Sequence, residues 1–153
     1  MIDPNAFNIC TEIFRKLYPT RQPDLNLEQV DHSLSVIPTD PKDVNIVAPA
    51  SANIISQCLK NVFTDGKITL GDFPIILKTI NDVAKNVNGI KLANVTPAAV
   101  IDVLEVIICV VFQMVLPGRE YDIARTILVP AFSLLRTNVS TKKSLKMLLS
   151  CKQ

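Results

Sequence analysis

Apolar side chains recur at steps of three and four along most of this chain, the period of an α-helix. Ala6, Ile9, Cys10, Ile13, Phe14 and Leu17 make the first such stripe, opened by Asp3-Pro4 and closed by Tyr18-Pro19. A capping side chain followed by proline starts a helix well, because the N–H at that position has no helical partner to lose. A second stripe, Ile54, Ile55, Cys58, Leu59, Val62 and Phe63, predicts a helix from Ser51 or Ala52 to Phe63. A third, Phe73, Ile76, Leu77, Ile80, Ala84 and Val87, lies between a capping Asp72, with Pro74 in the first turn, and Asn88-Gly89. Lys78 and Asp82 form an i,i+4 pair on its outer side. Glu120 to Arg136 carries two adjacent stripes, Ile123/Ile127/Leu134 and Ala124/Leu128/Ala131/Leu135, with a kink or break expected at Pro130. Ser140 predicts a short last helix, with Leu145, Leu148 and Leu149 inward and Lys142, Lys143 and Lys146 outward.

The longest apolar run, Thr96 to Pro117, organises the rest. Thr96 and Pro97 open it, and Pro117-Gly118 stops it. A helix of about 20 residues is roughly 30 Å long. Its strongly polar residues, Asp102, Glu105 and Gln113, fall with Cys109 on one narrow stripe, and the remaining circumference is apolar. Such a helix is either the buried centre of a helical domain or a membrane span. Asp102 and Glu105 would each cost about 2.5–3.5 kcal/mol near a bilayer centre. Only Tyr121 stands close as an interfacial aromatic, so the buried-core reading leads.

Residues 19–50 break the pattern. Five of the ten prolines fall there (Pro19, Pro23, Pro38, Pro41 and Pro49), and apolar residues show no sustained period. One helical turn fits Gln29 to Ser35; the remainder reads as extended, since each proline restricts itself and its predecessor. The expected organisation is a helix over 1–18, a Pro-rich arm over 19–50 that lies over the domain or a neighbour, and a helical domain over 51–153.

Composition agrees with aliphatic helix packing: 48% of residues are apolar, 5% are aromatic, and there are four glycines and no tryptophan. Net charge is +2, too small to imply nucleic acid by itself. Its distribution is uneven. Residues 1–59 carry seven acidic and four basic groups, whereas residues 123–153 carry six basic groups and no acidic one. The basic tail is a candidate for an acidic partner surface, phosphate or anionic lipid; a solvated basic helix is the simpler reading. Cys10, Cys58, Cys109 and Cys151 are scattered, without a CxxC pair or an adjacent histidine, so zinc is not expected. Cys58 and Cys109 read as buried thiols; an intermolecular bridge through Cys10 or Cys151 stays open. The N-terminus has no signal-peptide pattern, which leads to an intracellular rather than secreted expectation. The sequons at Asn94 and Asn138 then read as lead-ins to helix caps.

Candidate chemistry is sparse. Asn61 to Asp72 has the length of a calcium-binding loop, with Gly66 at the sharp turn and Ile68 at the apolar position. Phe63 stands where an oxygen ligand is needed, and Asp72 is shorter than the usual bidentate glutamate, so a turn followed by a cap accounts for it better. Asp102 and Glu105, three residues apart on one helix face, have the geometry of an acid–base pair but read first as partners for Lys or Arg on a neighbouring helix. His32 has no Ser, Cys or Asp partner that sequence can identify. No catalytic, cofactor-binding or metal residue is therefore assigned.

The run Thr-Asp-Gly-Lys-Ile-Thr-Leu-Gly-Asp-Phe-Pro-Ile-Ile-Leu, then Asn-Gly-Ile-Lys-Leu, then the long aliphatic helix, all within residues 64–118, resembles small helical proteins of large icosahedral double-stranded DNA viruses. The resemblance implies a minor capsid component of the virion, with capsid subunits or a second copy of itself as partner. It carries over no functional residue. The expectation is an all-α protein of five to six helices around 97–116. Its function would be a non-enzymatic structural or assembly role, exercised through the arm and the C-terminal helix. The alternative is a membrane-associated protein using 98–116.

Overall fold

The computed structural model describes residues 2–63, 70–90, 92, 94–116 and 118–151, with the side chains of the last helix described through Asn138. The described residues form an all-α fold of five long helices: α1 (Pro4–Leu17), α2 (Pro41–Val62), α3 (Phe73–Gly89), α4 (Pro97–Val115) and α5 (Arg119–Cys151). Short 3₁₀ turns occur at Leu27–Gln29, His32–Val36 and Leu70–Asp72.

Three helices start by one device. The carboxylate of Asp3 accepts from Asn5 N at 2.7 Å, that of Asp40 from Lys42 N at 2.9 Å, and the hydroxyl of Thr96 from Ala99 N at 3.2 Å. A proline follows each of these caps. Asp72 stands at the head of α3 but makes no capping hydrogen bond. The 3₁₀ turn before it leaves its backbone at φ −84°, ψ 0°, rather than in the extended conformation a cap adopts.

α4 is the centre. Fourteen of its 19 residues are buried, and α1, α2, α3 and α5 all pack against it. Its apolar window has a mean hydropathy of 2.4, enough by length and composition to cross a membrane, yet 78% of that window is buried inside the domain. Phe63 meets Phe112 edge-on, ring centroids 5.0 Å apart. The Cys10 thiol on α1 donates to the Ile107 carbonyl at 3.6 Å, both buried. Gly118 takes φ +66°, a conformation that suits glycine, and turns the chain from α4 into α5 within three residues. The two helices therefore run antiparallel.

The expected second helix begins earlier than Ser51 or Ala52. Asp40-Pro41 starts α2, which runs through Pro49. Its stripe is Val44, Val47, Ala48, Ser51, Ala52, Ile55, Ser56 and Leu59. Small residues dominate the first half, so a count of large apolar side chains passes over it. The buried hydroxyls of Ser51 and Ser56 donate to the carbonyls of Ala48 and Ala52 in the same helix, which is why they can be buried. The extended arm thus shortens from 19–50 to 19–40.

That arm lies over its own domain. Arg21 sits 5.5 Å from the ring centroids of both Phe14 and Tyr18, and its guanidinium donates to the Val115 carbonyl at the end of α4 at 3.4 Å. Val30 and Leu34 of the arm are themselves buried.

Neither a break at Pro130 nor a separate helix at Ser140 occurs: α5 is continuous over 33 residues. Pro130 faces solvent, where water can take the Thr126 carbonyl that its missing N–H leaves free. Of the two stripes expected on this helix, Ala124, Ile127, Leu128 and Ala131 point inward, joined by Phe132, which neither stripe contained, whereas Ile123 and Leu134 are 41% and 61% exposed. The orientation of Lys142, Lys143, Leu145, Lys146, Leu148 and Leu149 lies outside the described side chains, as does Cys151.

Candidate functional site

The polar stripe of α4 meets a matching stripe on α5. Asp102 and Gln113 lie eleven residues apart on α4; Arg136 and Arg125 lie eleven apart on α5. Eleven residues are close to three helical turns, so each pair stays on one face. Antiparallel packing then brings Arg136 to Asp102 and Glu105, and Arg125 towards Gln113.

At the first position one guanidinium closes on two carboxylates. Arg136 Nε donates to Asp102 Oδ1 at 2.8 Å, and Arg136 Nη1 to Glu105 Oε1 at 2.8 Å. The Glu105 side chain is 6% exposed, that of Asp102 18% and that of Arg136 32%. Burial acts to lower the Arg136 pKa, but the hydrogen bonds and charges of Glu105 and Asp102 outweigh it and hold it above its ordinary value. Both carboxylates are thus engaged in joining α4 to α5, which is the structural pairing expected for them.

The second position is a hub that sequence reading missed. Gln113 Oε1 accepts from Asp31 N at 2.9 Å, and its Nε2 donates to the Gln29 carbonyl at 3.0 Å. The Asp31 carboxylate accepts from Tyr121 Oη at 2.7 Å, from Ser33 N at 3.0 Å, and from Arg125 and the Ser33 hydroxyl. Burial acts to raise the Asp31 pKa; the hydrogen bonds from Ser33 and Tyr121 and the Arg125 charge overcome this and hold the carboxyl below its ordinary value. Burial, and then the bond to Asp31, pushes the Tyr121 phenol well up. This hub fastens the arm to both α4 and α5. The signal for it was present in part: Gln113 is an amide in an aliphatic helix, and amides there need partners.

The remaining candidates do not converge. His32 stands exposed at the edge of a small cavity of about 100 Å³ with Asp31, Glu28 and Ser35. Among the described residues no three His, Cys, Asp or Glu side chains gather where a metal could sit. Residues 64–69 of the calcium-like loop lie outside the described residues. Burial raises the thiol pKa of Cys10 and Cys109 far above the ordinary value, and Cys58, half-buried, is raised less.

An open groove of about 580 Å³ lies between α3 and α5. Its floor is Ala84, Ile101 and Leu135; its rim is Lys78, Asn81, Asp82, Lys85, Asn88 and Asn138. A smaller hollow of about 170 Å³ continues it past Leu77 and Leu134, sharing Asn81, Leu135 and Asn138. Lys78 and Asp82 form no ion pair, so the i,i+4 contact expected between them is not made.

No family model, no curated protein and no solved structure matches the chain.

Proposed function

We propose that this chain is a non-enzymatic structural or assembly protein, of the minor-capsid kind that residues 64–118 resemble, with capsid subunits or further copies of itself as partners. One observation carries the reading: the polar side chains in and beside the core are spent on holding the protein's own elements together. Asp102, Glu105 and Arg136 join α4 to α5, and Asp31, Gln113, Tyr121 and Arg125 hold the arm. What the surface offers instead is shape and aliphatic area: Val36 is 80% exposed, Leu134 61% and Ile75 50%. Single exposed aliphatics are ordinary, but Leu134 and Leu77 border the α3–α5 groove, which makes that face the natural contact surface. The arm is bonded to its own α4, so the contact role passes from the arm to the helical face.

Light scattering on a size-exclusion column, in reducing buffer without detergent, tests this together with binding to candidate capsid subunits. Self-association or a defined complex supports the proposal. A monomer that binds no subunit refutes it. Recovery only in detergent favours the membrane-associated alternative.

A further inference from the structure

We infer that the α3–α5 groove is a docking site for an extended, acidic peptide segment of a partner protein. This deepens the assembly reading and rests on it.

The amides come first. Asn81 and Asn88 on α3 and Asn138 on α5 are exposed on the rim, and none makes a hydrogen bond among the described residues. Each amide side chain has donors and an acceptor, the set needed to pair with a peptide N–H and C=O. Asn81 and Asn88 are two turns apart on one helix, roughly 10.5 Å along the axis. That distance spans about three residues of an extended chain. The groove therefore offers repeated backbone anchors at a spacing suited to an extended segment.

The floor and the charges complete the match. Ala84, Ile101 and Leu135 give an aliphatic floor on which small apolar side chains can rest. Lys78 and Lys85 repeat at the same two-turn spacing and make no ion pair among the described residues; Asp82 is the single acidic group of the rim. The opposite wall belongs to α5, which has no acidic residue from Ile123 onward. With two lysines against one aspartate, the rim of the groove is net positive. A small anion would want a convergent cradle of guanidinium or backbone N–H groups, and the rim has neither. An acidic peptide satisfies the amides, the floor and the lysines together.

A random-peptide display library panned on the full chain, followed by fluorescence anisotropy on the enriched peptides, tests the inference. The expected result is enrichment of peptides bearing Asp or Glu among small apolar residues. Their binding should weaken about tenfold in Lys78→Glu/Lys85→Glu and be lost as salt rises, because these are screened surface charges. Asn81→Ala/Asn138→Ala should weaken binding as well, while Lys42→Glu, on the exposed start of α2, should leave it unchanged. All the altered side chains are exposed, so circular dichroism should show unchanged helix content in each variant. Failure to enrich any peptide, or equal binding to wild type and the lysine double variant, overturns the inference. Displacement of an enriched peptide by inorganic phosphate at low concentration also overturns it and makes the groove an anion site. Self-association or subunit binding by a chain that enriches no peptide would leave the assembly reading standing while the groove reading falls.

Discussion

Replacing Arg136 by Met tests the α4–α5 clamp most directly. Met keeps much of the aliphatic stem and removes the guanidinium that serves both carboxylates. Glu105 would then be left as a charge whose side chain is 6% exposed, with no cation beside it. Removing one partner of a fully buried pair costs about 3–5 kcal/mol. Arg136 is itself 32% exposed and Asp102 is 18% exposed, so water can replace part of what is lost. The expected destabilisation is therefore about 2–3 kcal/mol, roughly a 4–12 °C fall in Tm for a domain of this size. Urea unfolding followed by far-ultraviolet circular dichroism reads it out. Glu105→Gln alone should cost less, about 1 kcal/mol, because the amide oxygen still accepts from Arg136. In the double variant Arg136→Met/Glu105→Gln the buried charge is gone, and roughly half or more of the Arg136→Met loss should return. If Arg136→Met stays within about 0.5 kcal/mol of wild type, the clamp contributes no more than a surface pair and the argument fails. Absence of recovery in the double variant would mean that lost packing, not the stranded carboxylate, is responsible.

Three further outcomes follow from other sites. Because the folded Asp31 carboxyl lies below its ordinary pKa, its contribution is complete above the unfolded value near ~3.9 and is lost as pH falls through the lower folded value; Asp31→Asn should flatten the acid limb of a stability–pH profile below about pH 4, and an unchanged limb would remove the hub from the account. Pro49 is exposed inside α2 and withholds a hydrogen bond from the Asn45 carbonyl, so Pro49→Ala should stabilise by about 1–2 kcal/mol in the same urea assay, and a loss would show that the ring packs usefully. Thiol labelling read by peptide mass spectrometry should leave Cys10 and Cys109 unmodified in the native protein and modify both in urea, with Cys58 reacting at an intermediate rate; native labelling of Cys109 would contradict its burial.

Element type was readable in the chain because a helix here needs only local information. Asp3-Pro4 and Thr96-Pro97 carry their own start signals, Gly118 its own stop, and the three-four stripes of α1, α3 and α4 define which face is apolar. The apolarity of 97–115 left a buried centre or a membrane span, and the cost of placing Asp102 and Glu105 in a bilayer turned the reading to the centre, where the structure buries the helix. Misreadings arose where local signals were ambiguous. The first half of α2 buries Ala48, Ser51 and Ala52, small residues that mark a close helix contact only once the neighbour is known. Pro49 and Pro130 read as interruptions, yet both face solvent, where a missing N–H costs least.

Which polar residue meets which was decided only by tertiary structure. Asp102 and Glu105 read first as partners for a Lys or Arg on a neighbouring helix, but nothing local says which one; the antiparallel register of α4 and α5 places Arg136 on both. Asp31 has no sequence neighbour that predicts Gln113, Tyr121 or Arg125, at separations of 82, 90 and 94 residues. The α3–α5 groove depends in the same way on two helices meeting at a particular distance and rotation. Periodicity encodes how a segment buries its own surface, whereas partners, ion pairs and grooves arise from the relative placement of segments. That placement is set by packing of the whole core.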